Sequence, residues 1–431
     1  DGIRGLVRSR GLGDVYKRQE RYWDSVPDPV EIPFDAAIEQ LREELRRAVD
    51  LRLISDVPLG VFLSGGIDSS AVVALMAQQM NEPVKTFSIG FEYSPYNELP
   101  HARRVAEHFS TDHHEEIVRP DAIGLLPKLV WHYDEPFADS SAIPTYYVSR
   151  LARRYVKVVL TGDGGDELFA GYKHYRWLKK YETFDRLMGP LRRPLFSAAA
   201  RLPVPLRYRE ILRRLSKPLP EITREALAAF TTEFMQTIAP NPPLSMEYPT
   251  SFRTADLWDR VPNGSFIERV MYADQKTYLV DDILTKVDRA SMAVSLEARV
   301  PLLDHHVVEL ANRLPLDMKL HDGRILKYIL KEMIRPWMPD GFIAERKQGF
   351  GVPLVQWFRT DLREYLNDRL LSQTVRERGL FDMKGVKRII DEHVSGRMQL
   401  MDELWTLLFL EEWFTQFVDA EPSASSPSFD E

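Results

Sequence analysis

The sequence predicts an α/β protein with a doubly wound parallel sheet, Rossmann-like in layout, and a mostly helical carboxyl-terminal portion. Two observations predict this fold class. Between residues 58 and 172, short apolar runs rich in β-branched residues alternate with helical patterns, which is the order expected of βαβ units. Two of these runs lead directly into glycine-containing turns that open a helix, as at the ligand-binding edge of such sheets.

The elements follow one another in a regular order. A first helix is predicted over 34–53, after a proline-containing linker. Strands are predicted over 59–63, 84–89, 114–118 and 156–160, and helices over 69–80, 97–109, 123–132 and 142–155. After residue 173 the strand signals fade and helical patterns dominate. Right-handed connections between parallel strands would place a ligand crevice at the carboxyl ends of the strands.

The chain of 431 residues has room for two or three compact units. Residues 1–19 look like a translated library adapter, so we expect a non-native leader there. We expect a linker and first helix over 20–57, an α/β core with the predicted ligand crevice over 58–172, a helical portion over 173–418 and a disordered tail over 419–431.

Composition excludes several classes of function. The formal charge is −7 with a pI of about 5.9, so no global positive field gathers nucleic acid. No apolar stretch reaches the length of a membrane span, and we expect a cytoplasmic protein that acts on small molecules. The absence of cysteine removes disulfides, thiolate metal sites and cysteine nucleophiles. The pairs His113-His114 and His305-His306 lack a spaced third ligand and are not expected to bind metal.

The turn after the first predicted strand has the features of a phosphate-binding loop. Gly65 and Gly66 allow the backbone to approach an anion, which the amino-terminal end of the next helix attracts. Asp68 would repel phosphate unless a cation lay between them, so Mg²⁺ is predicted there. No Gly-Lys-Ser or Gly-Lys-Thr follows the glycines, so this is not the Walker pattern. Hydroxyl donors to phosphate would come from Ser64, Ser69 and Ser70. A serine-capped helix after a glycine turn would need no ligand.

Three segments together resemble one protein family. The turn at 64–70 resembles the PP-loop of N-type ATP pyrophosphatases, which cleave ATP between its α and β phosphates. A second strand, glycine turn and helix follow at 158–172, and Ser295-Leu296-Glu297-Ala298-Arg299-Val300-Pro301-Leu302-Leu303-Asp304 comes later. In this order the segments are similar to the asparagine synthetase family, over residues 22–417. The resemblance implies an ATP-dependent ligase that converts L-aspartate to L-asparagine through β-aspartyl-AMP, releasing AMP and pyrophosphate.

The resemblance also implies roles for individual residues. Asp68 and Asp166 match carboxylates that hold Mg²⁺ on the phosphates, although both could instead be helix caps. Asp163 stands where many family members have a glutamate that forms or consumes the intermediate, and the shorter side chain puts both the acid/base role of this residue and the acceptor in question. Lys347 matches a lysine that neutralises phosphate charge, with a solvated loop lysine as its alternative. Adenosine contacts are implied for Leu63, Ile89, Thr161 and Gly162.

Members of that family take ammonia from glutamine in an amino-terminal domain whose first residue is a cysteine. We expect this glutaminase domain to be absent here, so the chain as given would use free ammonia. One alternative is an amidotransferase of the same family that acts on a sugar acid or a peptide. Another is a non-catalytic ATP-binding protein. The expected partners are small molecules, with no nucleic acid and no membrane, and a homodimer is left open.

Overall fold

A five-stranded parallel sheet forms the centre of the protein. The computed structural model describes residues 20–92, 97–118, 122–202, 212–227, 256–344 and 351–420, together with 230, 235, 238 and 239. The strands lie in the order β3-β2-β1-β4-β5, and every neighbouring pair is parallel. Their bounds are β1 Leu59–Phe62, β2 Lys85–Phe91, β3 Asp112–Val118, β4 Val158–Leu160 and β5 Glu297–Arg299.

The strand order places the reversal of the sheet between β1 and β4. From β1 the chain builds outward to β2 and β3, then returns to the other side of β1 to add β4 and β5. β1 and β4 are direct neighbours, with Leu59 opposite Val158 and Val61 opposite Leu160. Connections that leave two adjacent strands in opposite directions open a crevice at their carboxyl ends. The two glycine turns therefore flank that crevice.

Helices cover both faces of the sheet. The first seven are α1 Phe34–Leu53, α2 Ile67–Gln79, α3 Leu99–His108, α4 Ala122–Tyr133, α5 Ala142–Arg153, α6 Gly165–Leu168 and α7 Lys173–Met188. Later helices span Arg192–Ala199, Leu219–Leu227, Phe266–Lys276, Thr285–Met292, His305–Arg313, Leu316–Lys319, Tyr328–Ile334, Leu354–Trp357, Arg363–Leu370, Gln373–Arg378, Met383–Val394 and Met401–Phe414. None of the described helices is long and apolar enough to cross a membrane.

The core has one large cluster on each face of the sheet. Leu160 packs with α1, α2, α3 and the helix Tyr328–Ile334 on one face. Val159 packs with α4, α5 and the last helices of the chain on the other. Successive strand residues point to opposite faces, so a strand buried on both sides must be apolar throughout, as β4 is. A third cluster joins α7 to the helices Leu219–Leu227 and Phe266–Lys276.

The fold confirms the predicted class and corrects parts of the element list. α1 has the predicted bounds, and the other predicted helices and strands differ by a few residues at their ends. β5 was missed, as was the antiparallel hairpin of Leu320–His321 and Ile325–Leu326. Both lie where only helical patterns were expected. β5 is only three residues long and carries two charged side chains, so it gives no apolar run. The predicted leader lies outside the described residues, as do residues 421–431 of the tail.

Candidate active site

The two glycine turns line one cavity of about 510 Å³ at the carboxyl ends of β1 and β4. The cavity wall includes most of the residues predicted to bind ATP, together with groups from the second half of the chain. The predicted ones are Leu63, Ser64, Asp68, Ser69, Ile89, Thr161, Gly162, Asp163 and Asp166. Those from the second half are Tyr278, Ile283, Lys286, Val287 and Gly351. Residues from both parts of the chain therefore build the cavity, and residues 58–172 do not build it alone.

The two turns pack directly against each other because glycine stands at their contact points. A Cβ atom on Gly162 would lie 2.7 Å from the backbone nitrogen of Ser69, and one on Gly165 would overlap the carboxylate of Asp68. Any larger residue would therefore force the turns apart. Within the first turn, Ser69 Oγ accepts a hydrogen bond from the backbone N–H of Ser64 and lies 3.1 Å from Ser64 Oγ. These contacts set the hydroxyls at the start of α2.

A buried lysine joins the two aspartates that were predicted to bind magnesium. Lys327 Nζ lies 2.7 Å from an oxygen of Asp166 and donates a short hydrogen bond to Asp68. Burial alone would lower the pKa of Lys327, but the negative charges of Asp166 and Asp68 outweigh it and raise the pKa above its ordinary value. Asp68 and Asp166 therefore converge on one point, as the two turns require, and a cationic group lies between them.

Lys327 is held in that position by its backbone as well. Its φ of 54° lies in the left-handed region, which costs a non-glycine residue about 1–3 kcal/mol. Its N–H donates to the carbonyl of Phe169 at 3.1 Å, just after α6. The strained conformation directs the residue from the start of the helix Tyr328–Ile334 into the two turns.

Glu167 contributes a buried carboxyl to the same part of the cavity. Burial, followed by the charge of Asp166, raises the pKa of Glu167 to about 8. The hydroxyl of Tyr172 donates to it at 2.6 Å. At neutral pH, Glu167 therefore adds little negative charge beside Asp68 and Asp166.

A second group of charges lies at another side of the cavity. Lys286 Nζ lies 2.9 Å from Asp139, which also accepts hydrogen bonds from the N–H and hydroxyl of Ser141 at 2.8 and 2.6 Å. Burial lowers the pKa of Lys286, but Asp139 and then Asp163 raise it above the ordinary value. Burial and the charge of Asp139 raise the pKa of Asp282 above its ordinary value. This side offers one ammonium group, carboxylates and a hydroxyl to a polar ligand.

The remaining wall is apolar with a few buried polar atoms. Leu63 and Ile89 are buried at the ends of their strands, and the N–H of Leu63 donates to the carbonyl of Phe87 at 2.9 Å. The hydroxyl of Ser88 donates to the carbonyl of Leu63. Thr161 is buried, and its hydroxyl has no hydrogen-bond partner among the described residues. An apolar wall with a few buried polar atoms suits a flat, heteroatom-rich ring.

The remaining predicted site residues fall into two groups. Gly65, Gly66 and Ser70 complete the first turn without appearing in the cavity wall. Lys347 lies outside the described residues.

Some of the charged groups at the site carried no prediction. Asp139, Glu167 and Lys286 line the cavity, and Lys327 contacts the carboxylates of Asp68 and Asp166. Lys286 lies four residues after Asp282, a spacing that brings two side chains together on one face of a helix. This spacing could have singled out Lys286 in the sequence. Lys327 carries no local signal.

The described residues include two clusters spaced to hold a metal ion. One consists of Asp304, His305 and His306, so the expectation that this histidine pair has no third ligand is wrong. Asp304, however, pairs with Arg52 at 3.0 Å and accepts from the N–H of His306 at 3.0 Å as a helix cap. These contacts account for its position. The other cluster, Asp317, His321 and Asp322, lies where the helix Leu316–Lys319 leads into the hairpin.

Comparison with known proteins gives one consistent family. The family model described as asparagine synthase matches residues 40–415. The chain is 31% identical over 386 residues to asparagine synthetase [glutamine-hydrolyzing] 1 of Bacillus subtilis, which covers 89% of the chain and 60% of that protein. A Mycobacterium bovis relative, whose name gives the same assignment provisionally, is 34% identical over 398 residues, or 91% of the chain and 60% of the relative.

A more distant relative carries a different name. A Penicillium rubens protein named amidase chyE is 27% identical over 425 residues, covering 87% of the chain and 62% of that protein. The chain therefore spans about three fifths of the length of these three relatives.

Proposed function

The chain belongs to the asparagine synthase family, and from this premise we propose that it joins ammonia to a carboxylate at the expense of ATP. The observation that carries the proposal is the meeting of Asp68 and Asp166 at Lys327, where the two turns close the crevice between β1 and β4. A nucleoside triphosphate bound with its cation carries both negative and positive charge. The helix amino terminus and the ammonium group suit the phosphates, and the two carboxylates suit the cation.

The proposed reaction has two steps. A carboxylate oxygen of the acceptor attacks the α-phosphorus of ATP, and the bond from that phosphorus to the bridging oxygen breaks, so that pyrophosphate leaves. Ammonia then attacks the carbonyl carbon of the acyl adenylate, the bond to the AMP oxygen breaks, and a proton leaves the nitrogen. The protein forms no covalent bond in this scheme, so positioning and charge neutralisation carry the catalysis.

The phosphates would lie between the two turns. The backbone N–H groups at the start of α2 and the hydroxyls of Ser64 and Ser69 supply donors to phosphate oxygens. Lys327 supplies a positive charge to the oxygens that become negative as pyrophosphate leaves. Asp68 and Asp166 are the residues that would hold Mg²⁺, which would neutralise phosphate charge when bound; two carboxylates plus phosphate oxygens are an ordinary ligand set for this ion.

Adenosine would lie against the apolar wall of Leu63 and Ile89, with Thr161 and Gly162 beside it. The buried hydroxyl of Thr161 could pair there with a ring nitrogen or a ribose hydroxyl. This arrangement would hold the α-phosphorus near the second group of charges.

The acceptor would bind at the side formed by Asp139, Asp163 and Lys286. An α-amino acid presents an ammonium and a carboxylate, and this side offers both complementary charges. We therefore propose L-aspartate as the acceptor and L-asparagine as the product, with Asp163 near the reacting carboxylate. In the complete protein, glutamine would supply the ammonia.

A second candidate is amide formation on a different carboxylate. Two observations support this second candidate. One relative is named as an amidase, and position 163 has an aspartate where many family members have a glutamate. Its acceptor would be a sugar acid or a peptide carboxylate, bound in the same cavity.

The test is ATP cleavage by the purified chain. Protein, ATP, magnesium and ammonium are incubated with L-aspartate or with a panel of other carboxylates, and pyrophosphate and amide product are measured. We expect pyrophosphate release that depends on L-aspartate. Release that ignores aspartate but follows another carboxylate would support the second candidate. ATP binding without any pyrophosphate release would reject both in favour of a binding protein.

A matched pair of variants connects the activity to the site. Asp68→Asn keeps the shape of the side chain but removes its charge, and we expect turnover to fall about a hundredfold or more. Asp35→Asn removes an exposed aspartate at the start of α1 and should leave turnover unchanged. Equal turnover in the two variants would disprove the proposed site.

A further inference from the structure

The segment before α1 is fixed to the body of the protein by side-chain contacts. This segment, residues 20–33, is called the strap below. The indole N–H of Trp23 donates to Glu309 at 2.8 Å. The carboxylate of Asp24 lies 2.8 Å from Lys276 Nζ and accepts from the hydroxyl of Tyr272 at 3.0 Å. These contacts hold the strap across the helices Phe266–Lys276 and His305–Arg313.

The strap also pairs with the end of one helix through its backbone. The N–H of Asp28 donates to the carbonyl of Asn312 at 3.1 Å, and the N–H of Val30 donates to the carbonyl of Arg313 at 2.9 Å. The strap thus supplies donors to carbonyls in the last turn of His305–Arg313, which have no partner within the helix.

A buried pair of amide side chains lies directly beneath the strap. Asn312 Nδ2 donates to Gln275 Oε1 at 3.0 Å, and Gln275 Nε2 donates back to Asn312 Oδ1 at 3.1 Å. Asn312 Nδ2 also donates to the strap, where it lies 2.9 Å from the carbonyl oxygen and 3.1 Å from the hydroxyl oxygen of Ser25. Gln275 Nε2 also donates to the carbonyl oxygen of Glu167 at 3.3 Å. Every donor of the amide pair is therefore used.

This chain of hydrogen bonds ends at the turn of residues 161–168, which carries Asp163 and Asp166. α6 spans only Gly165–Leu168, and a single helical turn is not stable by itself. The position of Asp166 must therefore come from contacts outside α6. Gln275 supplies one of them by donating to the carbonyl of Glu167, next to Asp166.

We propose that Gln275 and Asn312 are positioning residues that couple the docked strap to the turn of residues 161–168. The coupling rests on the proposed function, since it concerns the turn that would hold ATP. Loss of the amide pair leaves α6 free to move by a fraction of its own width. A displacement of about 1 Å in a catalytic group can cost about a hundredfold in rate.

The first experiment compares two glutamine variants. Gln275→Met keeps the side-chain length and removes the donors to Glu167 and Asn312. Gln79→Met is the matched control, because Gln79 Nε2 likewise donates to two acceptors, here the backbone carbonyls of Leu75 and Arg46, both at 3.2 Å. Gln79 lies at the far end of α2. For Gln275→Met we expect kcat for pyrophosphate release to fall about tenfold, with KM for ATP changed less than about twofold. For Gln79→Met we expect neither value to change.

The strap end is tested separately. Ser25→Ala removes one acceptor of Asn312 while the amide pair stays intact, so a smaller fall in kcat is expected, about threefold. Ser25→Thr keeps the hydroxyl and should restore the wild-type kcat. This pair keeps the proposal testable if Gln275→Met fails to fold. Equal kcat in wild type and Ser25→Ala would remove the strap from the coupling.

A measurement without turnover separates this proposal from the proposed function. The amides of Leu168, Phe169 and Gly171 donate to carbonyls of residues 164–166, within the turn of residues 161–168. Hydrogen exchange at these three amides therefore reports the stability of that turn. We expect exchange to become at least about tenfold faster in Gln275→Met and to stay unchanged in Gln79→Met. Wild type that releases no pyrophosphate defeats the proposed function alone. Unchanged exchange in Gln275→Met, or an equal rise in Gln79→Met, overturns the coupling.

Discussion

At the scale of single residues, Lys327 is the side chain on which the site most depends. Two carboxylates brought together in a partly buried place repel each other and resist ionisation. Lys327 offsets this by contacting both Asp68 and Asp166. The left-handed backbone of Lys327 persists because both its N–H and its ammonium group are held. Strain of this kind is common where a side chain must reach one particular point.

The first prediction at this scale concerns the loss of that charge. Lys327→Met leaves the buried carboxylate of Asp68 and the 37% exposed carboxylate of Asp166 without their cation. Removing one partner of a fully buried pair costs about 3–5 kcal/mol, and water around Asp166 makes the cost smaller here. We expect a lower free energy of unfolding and loss of pyrophosphate release. Urea denaturation and a pyrophosphate assay measure the two effects.

Lys331→Met is the control, since Lys331 lies one turn further along the same helix. We expect it to keep turnover near the wild-type value. Full turnover in Lys327→Met would mean that the ammonium group serves folding alone.

The residue scale also marks the limit of reading the site from sequence. Asp68 and Asp166 could be predicted because each follows a strand and a glycine turn, and adjacent strands end at one edge of the sheet. Lys327 is 259 residues from Asp68 in the chain, in a segment whose helical pattern gives no reason to single out one lysine. Its role exists only once the fold is formed.

At the scale of elements, a helix or strand can be predicted when its own residues carry the pattern that stabilises it. α1 was predicted with its bounds because Ala37, Leu41, Leu45 and Ala48 recur at helical spacing and are all buried. β5 has no such pattern. It is a strand because β4 pairs with it, with the N–H of Glu297 donating to Lys157 and that of Thr161 donating to the carbonyl of Arg299. An edge strand of this length is specified by its neighbour rather than by its own residues.

A second feature at this scale is a buried lysine that donates a hydrogen bond to the carboxyl-terminal end of the helix His305–Arg313. Lys319 Nζ donates to the carbonyl of Ala311 at 2.9 Å, and the side chain is 1% exposed. A cation near a helix carboxyl terminus is favourable, but burial lowers the pKa of Lys319 to about 8. The buried charge therefore costs stability, about 1.4 kcal/mol for each unit of pKa shift.

We predict that Lys319→Met stabilises the protein at pH 7. The carbonyl of Ala311 keeps a donor, the N–H of Leu314 at 3.3 Å, so the loss of the lysine leaves no orphaned acceptor. The expected gain is about 1–2 kcal/mol, because the lost hydrogen bond offsets part of the relief. Chemical denaturation of both proteins at pH 7 measures it.

The same variant has a pH dependence with a defined sign. The folded-state pKa of about 8 lies below the ordinary value of 10.5, so the folded state disfavours the proton. The penalty is absent above pH 10.5, grows as the pH falls, and is complete below pH 8. The advantage of Lys319→Met should therefore shrink between pH 8 and pH 10. An advantage that is constant over this range would contradict the assigned cause.

At the scale of the whole molecule, the candidate site takes residues from both sides of residue 173, where the sequence pattern changes. The change at residue 173 from alternating to helical patterns suggests a separate ATP-binding core. The cavity, however, takes Tyr278 and Lys286 from the second part, and Lys327 closes the two turns from further along the chain. The sheet itself is completed by β5. ATP should therefore be bound by both parts together, and its binding should stabilise both.

The last prediction follows from this shared site. A ligand that binds only the folded chain raises its stability by about 2.7 kcal/mol at a hundred times its dissociation constant. With magnesium and α,β-methylene-ATP, which cannot be cleaved between those phosphates, we expect the thermal midpoint to rise by several degrees in one transition. Hydrogen exchange should slow both in the turn of residues 161–168 and in the helix Tyr328–Ile334, because Lys327 connects them. Lys327→Met should show neither effect, whereas Lys331→Met should show both. Protection confined to residues 58–172 would mean that the first part binds the nucleotide alone.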